Sequence, residues 1–262
     1  MTEAAVGSVL GYEVRNGVAW LRLNRPESRN AINEPLRQAL AESIKRAERA
    51  PEVRALVLVG EGQAFCAGAD VREFQGRTGA VEQIRGEYEF ILQRLHGMPK
   101  PTVAALNGVA AGIGASIAFA CDIRYAVPAA SFVEAFVKIG LTVDGGASWL
   151  LPRLIGRGKA LEMFYTGEPL GADEASRLGL VNRLVERERL EAAVRDLGER
   201  LAAGPAAALG AIKRSVNFAT AATLEEAMEF EFELQGVMME SADFHEGVAA
   251  FLEKRAPRFQ GS

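Results

Sequence analysis

Val103-Ala104-Ala105-Leu106-Asn107-Gly108-Val109-Ala110-Ala111-Gly112-Ile113-Gly114-Ala115-Ser116 carries a small, β-branched strand into a glycine-punctuated turn and then into a helix of small residues. The start of a helix leaves backbone N–H groups without intrahelical acceptors, so such a corner can hold an oxyanion. A second loop of the same character, Phe65-Cys66-Ala67-Gly68-Ala69-Asp70, follows an apolar strand predicted over 55–59. Two donors of this kind facing one point would form an oxyanion hole.

Working outward, residues 9–14 and 18–23 alternate apolar and polar around Asn16-Gly17, a strong hairpin signal. Leu36, Leu40, Ile44 and Ala47 recur at helical spacing, Pro51 stops that run, and 54–60 reads as a buried strand. A helix over 81–95, a strand over 102–106, a buried helix over 112–120 and a strand over 123–126 follow. Strands alternating with helices predict a mainly parallel α/β sheet. Beyond about residue 145 the pattern turns helical, over 149–155, 158–165, 172–178 and most of 186–255. Pro205, Gly210 and Gly236 mark joints, but no Gly/Ser-rich or Pro-rich linker separates two autonomous domains.

The 262 residues can form one large α/β domain or two smaller ones. With 49% hydrophobic and 24% charged residues, and every long apolar stretch broken by glycine, asparagine or charge, no membrane span is expected. Residues 1–7 lack the basic start and apolar segment of a secretory signal, which makes a cytoplasmic location the expectation. Cys66 and Cys121 sit in apolar runs without ligand spacing, so they read as reduced, packed thiols rather than metal ligands. A net charge of −4 gives no global attraction for nucleic acid, and an anionic ligand would need a local basic patch.

Taken in order, Leu21-Arg22-Leu23-Asn24-Arg25-Pro26 with Asn30-Ala31-Ile32-Asn33, the Ala67-Gly68-Ala69-Asp70 loop, Asn107 to Gly114, Cys121-Asp122 and the tail from Glu246 to Arg255 resemble the crotonase (enoyl-CoA hydratase/isomerase) superfamily over nearly the whole chain. The resemblance implies an α/β fold with a crotonase-type ββα spiral core over 1–200 and a helical C-terminal trimerisation region over 201–262, in one continuous domain. It also implies a homotrimer or hexamer. The ligand would be an acyl-CoA, with coenzyme A arriving as part of the thioester substrate and no cofactor bound permanently. By position, the amides of Ala69 and Ile113 would polarise the thioester carbonyl as it becomes an enolate. Glycine often stands where Ile113 does, and a β-branched residue resists positive φ, so the donor requires negative φ there.

The departures from the hydratase pattern are informative. Hydration in this family uses two glutamates that hold one water, and the matching positions carry Ser116 and Phe136. Glu134 would share a face with Phe136 on a strand and point elsewhere on a helix; a role as substitute base is left open. Asp144, within Lys138 to Arg153, lies in a stretch that looks like the ring-1,2-epoxyphenylacetyl-CoA isomerase subgroup, where an aspartate works without the glutamate pair. One carboxylate suffices for isomerisation, because a proton taken from one carbon can be returned to another. Asp144 before Gly145-Gly146 also reads as the N-cap of the next helix. Burial among Leu141, Val143 and Trp149 would raise its pKa, whereas capping would lower it.

Three functions follow as expectations: an isomerase acting on 1,2-epoxyphenylacetyl-CoA or an unsaturated acyl-CoA, a hydratase with atypical acids, or a non-catalytic acyl-CoA-binding protein. The resemblance places Arg25 and the Ala67, Gly68 and Asp70 loop beside coenzyme A, and brings Phe251 and Lys254 to the coenzyme A of a neighbouring subunit. Gly112, Ser116, Glu134 and Phe136 line the acyl pocket in this reading. Asp70 reads as a turn residue shaping the Ala69 amide, Asp122 as structural, and His96 and His245 as surface or capping residues.

Overall fold

The computed structural model describes residues 9–74 and 81–261 of the chain. Strands β1 (Leu10–Arg15) and β2 (Val18–Leu23) form the opening antiparallel hairpin, and Asn16 and Gly17 adopt the positive φ that its tight turn demands. Helix α1 (Glu34–Arg49) starts where the Asn33 side chain accepts the Leu36 amide at 3.2 Å, and it buries Leu36, Leu40, Ile44 and Ala47 as their spacing predicts. Arg37 on the same helix is buried as well and ion-paired to Glu73 and Glu87, which the spacing did not announce.

Three long strands each hand the chain to a short one. β3 (Ala55–Gly60) leads to β4 (Ala64–Cys66), β5 (Thr102–Leu106) to β6 (Val109–Ala111), and β7 (Ile123–Ala126) to β8 (Ser131–Val133). Helix α2 (Val81–Gly97) follows the first pair and α3 (Ile113–Ala120) the second. The long strands join β1, β2 and β10 (Arg183–Leu184) in a six-stranded sheet of order β1-β2-β3-β5-β7-β10, parallel from β2 onward. The short strands and β9 (Leu170–Gly171) form a second, four-stranded sheet, β4-β6-β8-β9. This is the ββα spiral: each turn of chain lays one strand in each sheet and returns by a helix.

Strands of two or three residues are too short to show an alternating pattern, which is why the second sheet is invisible to periodicity. Its consequence is functional, because the ends of β4, β6 and β8 gather the turns described below. Beyond the sheets come α4 (Ala147–Ile155), α5 (Arg157–Thr166), α6 (Ala172–Arg177) and α7 (Arg187–Ala202). Helix α7 buries Leu190, Val194 and Leu197, and lies against β2, β3, β5 and β7. Helices α8 (Ala206–Ala219), α9 (Leu224–Met239) and α10 (Ala242–Glu253) complete the chain, and α9 buries no residue. Among the described residues no helix is long and apolar enough to cross a membrane.

Candidate functional site

The turns after β3 and β5 are braced to one another by asparagines. Asn30 Nδ2 donates to the carbonyls of Glu61 and Ala64, both at 2.9 Å, and its Oδ1 accepts the Arg25 amide. Asn107 Nδ2 donates to the carbonyls of Gly62 and Ala64 at 3.0 and 3.1 Å. The Ala64 carbonyl thus takes two amides, one from each side. These bracing roles lay hidden in the sequence, where both asparagines appear only as parts of family-like motifs.

Past this brace the two loops touch. A Cβ on Gly68, whose φ is +97°, would stand 2.9 Å from the Ala111 carbonyl oxygen and 4.0 Å from the Gly112 Cα. Ile32 and Ala69 form an isolated parallel bridge, in which the Ile32 N–H donates to Gly68 at 2.7 Å and the Asp70 N–H donates to Ile32 at 2.9 Å. That pattern turns the Ala69 N–H to the opposite side, where it finds no acceptor among the described residues. The Ile113 N–H, first of α3, also has none. Gly112, not Ile113, carries the positive φ of the corner (+49°), and its own amide is tied to the Val133 carbonyl at 2.8 Å. The β-branched side chain therefore costs the corner nothing.

Around these amides the loop is held by charge. Arg25 donates to the Ala31 carbonyl and lies 3.3 Å from Asp70 Oδ2, while Arg72 reaches both Asp70 oxygens at 2.6 and 2.7 Å. The Arg72 guanidinium, assisted by Arg25, holds the Asp70 carboxyl down to about 2. Asp70 is thus a loop-shaping residue. The Ala67 amide is taken by the Arg29 carbonyl at 2.9 Å. Pro26 opens a short 3-10 turn, Pro26–Ser28.

The acidic side lies against α3. A Cβ on Gly145 would stand 2.5 Å from Ile113 Cδ1 and 3.0 Å from the Ser116 hydroxyl oxygen, so the Asp144-Gly145 peptide rests on the start of the helix. Ser116 is buried, with Oγ 3.4 Å from the Gly112 carbonyl and 3.5 Å from that of Asp144. The capping role for Asp144 is not realised: Gly146 holds the cap position of α4, and no side chain caps that helix. The Asp144 carbonyl, not its carboxyl, accepts the Ala147 amide.

The surroundings of Asp144 also differ from expectation. Leu141 and Trp149 are exposed, at 52% and 38%, and Asp144 itself stands at the open edge. Its carboxyl is nonetheless desolvated enough for the pKa to be raised.

Glu134 does not share a strand face with Phe136. β8 ends at Val133, and Glu134 precedes a 3-10 turn, Ala135–Ile139, that contains Phe136. The Phe136 ring faces the corner, 3.5 Å from where a Gly112 Cβ would be. Glu134 is 0% exposed, and neither of its carboxyl oxygens has a hydrogen-bond partner. Burial, and then the charge of Asp144, push it up to about 8.

Phe251 and Lys254 are not brought to this place within one chain. Both lie at the end of α10, Phe251 is 84% exposed, and it borders a hollow of about 960 Å³ between α8, α9 and α10 with Val216, Phe232 and Val248. Asp122 accepts from Thr102 and Lys213, a structural role. His96 packs edge-on against Trp149. Among the described residues no group of three His, Cys, Asp or Glu side chains could hold a metal.

Two unused amides at the junction of touching loops, an aromatic ring facing Gly112 between them and an acidic residue whose backbone rests on the same helix start make a place where a carbonyl oxygen can gain charge while a neighbouring carbon exchanges a proton. Comparison with known proteins agrees with such chemistry. Residues 13–262 match the family described as enoyl-CoA hydratase/isomerase. A "probable enoyl-CoA hydratase" of Rhodobacter capsulatus is 42% identical over 251 residues, 95% of this chain and 97% of that protein. The 1,2-epoxyphenylacetyl-CoA isomerase of Escherichia coli is 40% identical over 253 residues, again 95% and 97% of the two chains. The crystal structure of an enoyl-CoA hydratase from Bacillus anthracis superposes with a TM-score of 0.93 at 29% identity, covering 97% of this chain and 99% of that one.

Proposed function

Because the chain belongs to the enoyl-CoA hydratase/isomerase family, we propose that it is an acyl-CoA isomerase in which the Ala69 and Ile113 amides hold the thioester oxygen and Asp144 relocates a proton. The observation that carries this reading is the packing of the Asp144-Gly145 peptide on the start of α3 while the two hydratase glutamate positions hold Ser116 and Phe136. As Asp144 removes a proton from the acyl chain, negative charge moves onto the thioester oxygen, where two preorganised N–H donors stabilise it. Each such donor typically contributes about 2.7–4 kcal/mol to the transition state. Reprotonation by the same carboxyl at another carbon completes the isomerisation without a positioned water.

Phe136 fills space beside Gly112 that a hydratase would give to a carboxylate, and its ring favours a flat, ring-derived or unsaturated acyl group. The name of the Escherichia coli relative agrees with a ring-derived substrate such as 1,2-epoxyphenylacetyl-CoA. Coenzyme A would arrive with the substrate, its adenine end near Arg25 and the Ala67–Asp70 loop. The exposed apolar face of α8, α9 and α10 supports a homotrimer or hexamer, in which Phe251 and Lys254 would approach a neighbour's ligand.

The test compares the native enzyme with Asp144→Asn on unsaturated and epoxide acyl-CoA thioesters in ¹⁸O-water. Isomerisation falls by about 10²–10⁴-fold in the variant, thioester binding persists, and the native product contains no ¹⁸O. One solvent oxygen per turnover would identify a hydratase instead, the activity in the name of the Rhodobacter relative. Binding without turnover of any thioester would leave a non-catalytic acyl-CoA-binding protein.

A further inference from the structure

Glu134 is sealed from solvent by the packing around β8, and both of its carboxyl oxygens lack a hydrogen-bond partner. It follows directly on Val133, whose carbonyl holds the Gly112 amide, so it sits one residue behind the corner that carries the Ile113 donor. An ionised carboxylate left dry and unpartnered is among the costliest groups a protein can bury, whereas a neutral carboxylic acid is far less so. Among the described residues Asp144 is the charged group that acts on it, and Asp144 lies at the open edge where its own charge is better solvated.

We propose, resting on the reading of Asp144 as the proton carrier, that Glu134 is a positioning residue: the two carboxyls form a pair with one proton, kept on Glu134, and one negative charge, kept on Asp144. In the reaction Asp144 takes a proton from a substrate carbon, the electrons of that C–H bond flow into the enolate, and the charge moves to the thioester oxygen. The same proton then passes to another carbon and the charge returns to Asp144. Glu134 keeps its proton throughout, so the site holds a single negative charge at every stage. When Glu134 ionises, two carboxylates repel, and Asp144, carried on an exposed loop, is the one free to swing out. Environments that separate the ionisation of two neighbouring acids assign them different roles, and burial pushes Glu134 up to about 8 while Asp144 is the more open.

Other shifted groups near the pair move away from that range. Tyr88 of α2 is buried and shifted upward, in part by Asp144, and Cys66 of β4 is pushed up to about 12. Arg37 of α1 lies over the Tyr88 ring and is shifted upward. His96 rests on Trp149 of α4 and is shifted downward, and Lys138 of the 3-10 turn is paired outward to Glu168.

The test is the pH dependence of kcat/KM on the thioester that the native enzyme isomerises. The native profile falls above about pH 8, tenfold per pH unit for a single ionisation. In Glu134→Gln, which keeps a donor but cannot ionise, that fall disappears or moves up by more than one unit. Glu134→Leu, equally unable to ionise, lacks the same alkaline fall. Side-chain ¹³C NMR gives a readout independent of activity: Glu134 titrates near 8 in the native chain and lower in Asp144→Asn, where the neighbouring charge is gone.

An alkaline fall unchanged in Glu134→Gln, or a Glu134 carboxyl that titrates in the ordinary acidic range, overturns the pairing. Full turnover by Asp144→Asn would instead overturn the reading of Asp144, so the two failures are told apart.

Discussion

The two sides of the site are built on opposite plans. On the amide side the donors are main-chain groups held by a dense frame of bonds: Asn30 and Asn107 brace the loops, Arg25 and Arg72 neutralise Asp70, and Val133 holds Gly112, with Asn107 Oδ1 buried and left without a partner. On the acid side one carboxyl stands on an exposed loop and another is buried with no hydrogen-bond partner among the described residues. Fixed dipoles gain from rigidity, because they must not reorganise as charge develops. A proton carrier needs a tuned environment instead, and that tuning is bought with an unsatisfied group. On the first side the unsatisfied group is one neutral amide oxygen, whereas on the second it is a whole ionisable carboxyl, as expected where stability yields to chemistry.

The rigid side is broken most directly by Gly68→Ala. A Cβ there would meet the Ala111 carbonyl at 2.9 Å in a backbone conformation, φ +97°, that L-residues avoid. Relief of the clash requires the two loops to part, which misdirects the Ala69 amide. The expected loss in kcat is about 10²–10³-fold, the value of one oxyanion donor. Positive φ for a residue with a side chain costs roughly 1–2 kcal/mol in stability. Steady-state kinetics beside thermal melting separates the two effects. A fall in Tm without a fall in kcat would show that the two loops need not touch for the amides to work.

The tuned side predicts a stability effect of intermediate size. The Glu134 carboxyl is held up to about 8 in the folded chain, whereas an unfolded glutamate titrates near 4.3. Between these values the native state binds more protons than the unfolded state, so this group makes stability fall as pH rises. The slope approaches about 1.4 kcal/mol per pH unit in mid-range and vanishes above the folded pKa. Glu134→Gln lacks the effect. Its advantage over the native protein in chemical denaturation should therefore widen from pH 5 to about pH 8 and then stay constant. Parallel stability curves for the two proteins would mean that Glu134 is already paired, and the contrast between the two sides would shrink.

That contrast also explains what could be read in advance. Main-chain sites follow from glycine placement and strand–helix succession, so the stretch from Val103 to Ser116 and the loop from Phe65 to Asp70 disclosed the amide corner. The long strands and helices were equally legible, since Leu36, Leu40, Ile44 and Ala47 or the run 55–60 state their own period. The second sheet was not, because strands such as Val109–Ala111 are shorter than one full alternation. Glu134 fell in the same blind spot: only the end of β8 at Val133 decides that it turns inward and away from the face of Phe136. For Asp144 the local signal of a helix cap was misleading, since Gly146 takes that place.

The smallest effect is expected where charge is satisfied on the rigid side, at Asp70. Its carboxyl is held down to about 2, chiefly by Arg72. A depressed carboxyl contributes stability that is present above its unfolded pKa, near 3.9, and lost as pH falls through the folded value. Arg72 is itself 68% exposed at its side chain, so solvent screens most of that contribution. Asp70→Asn keeps an oxygen that can accept the Arg72 amide, and the loop retains its bridge between Ile32 and Ala69. The variant should hold kcat/KM within about fivefold of the native value, and its deficit in stability should shrink as the pH falls below about 4 and close near the folded value of about 2. A collapse of turnover on the scale of Gly68→Ala would place Asp70 in the chemistry itself, and the amide side could no longer be described as a site made of backbone alone.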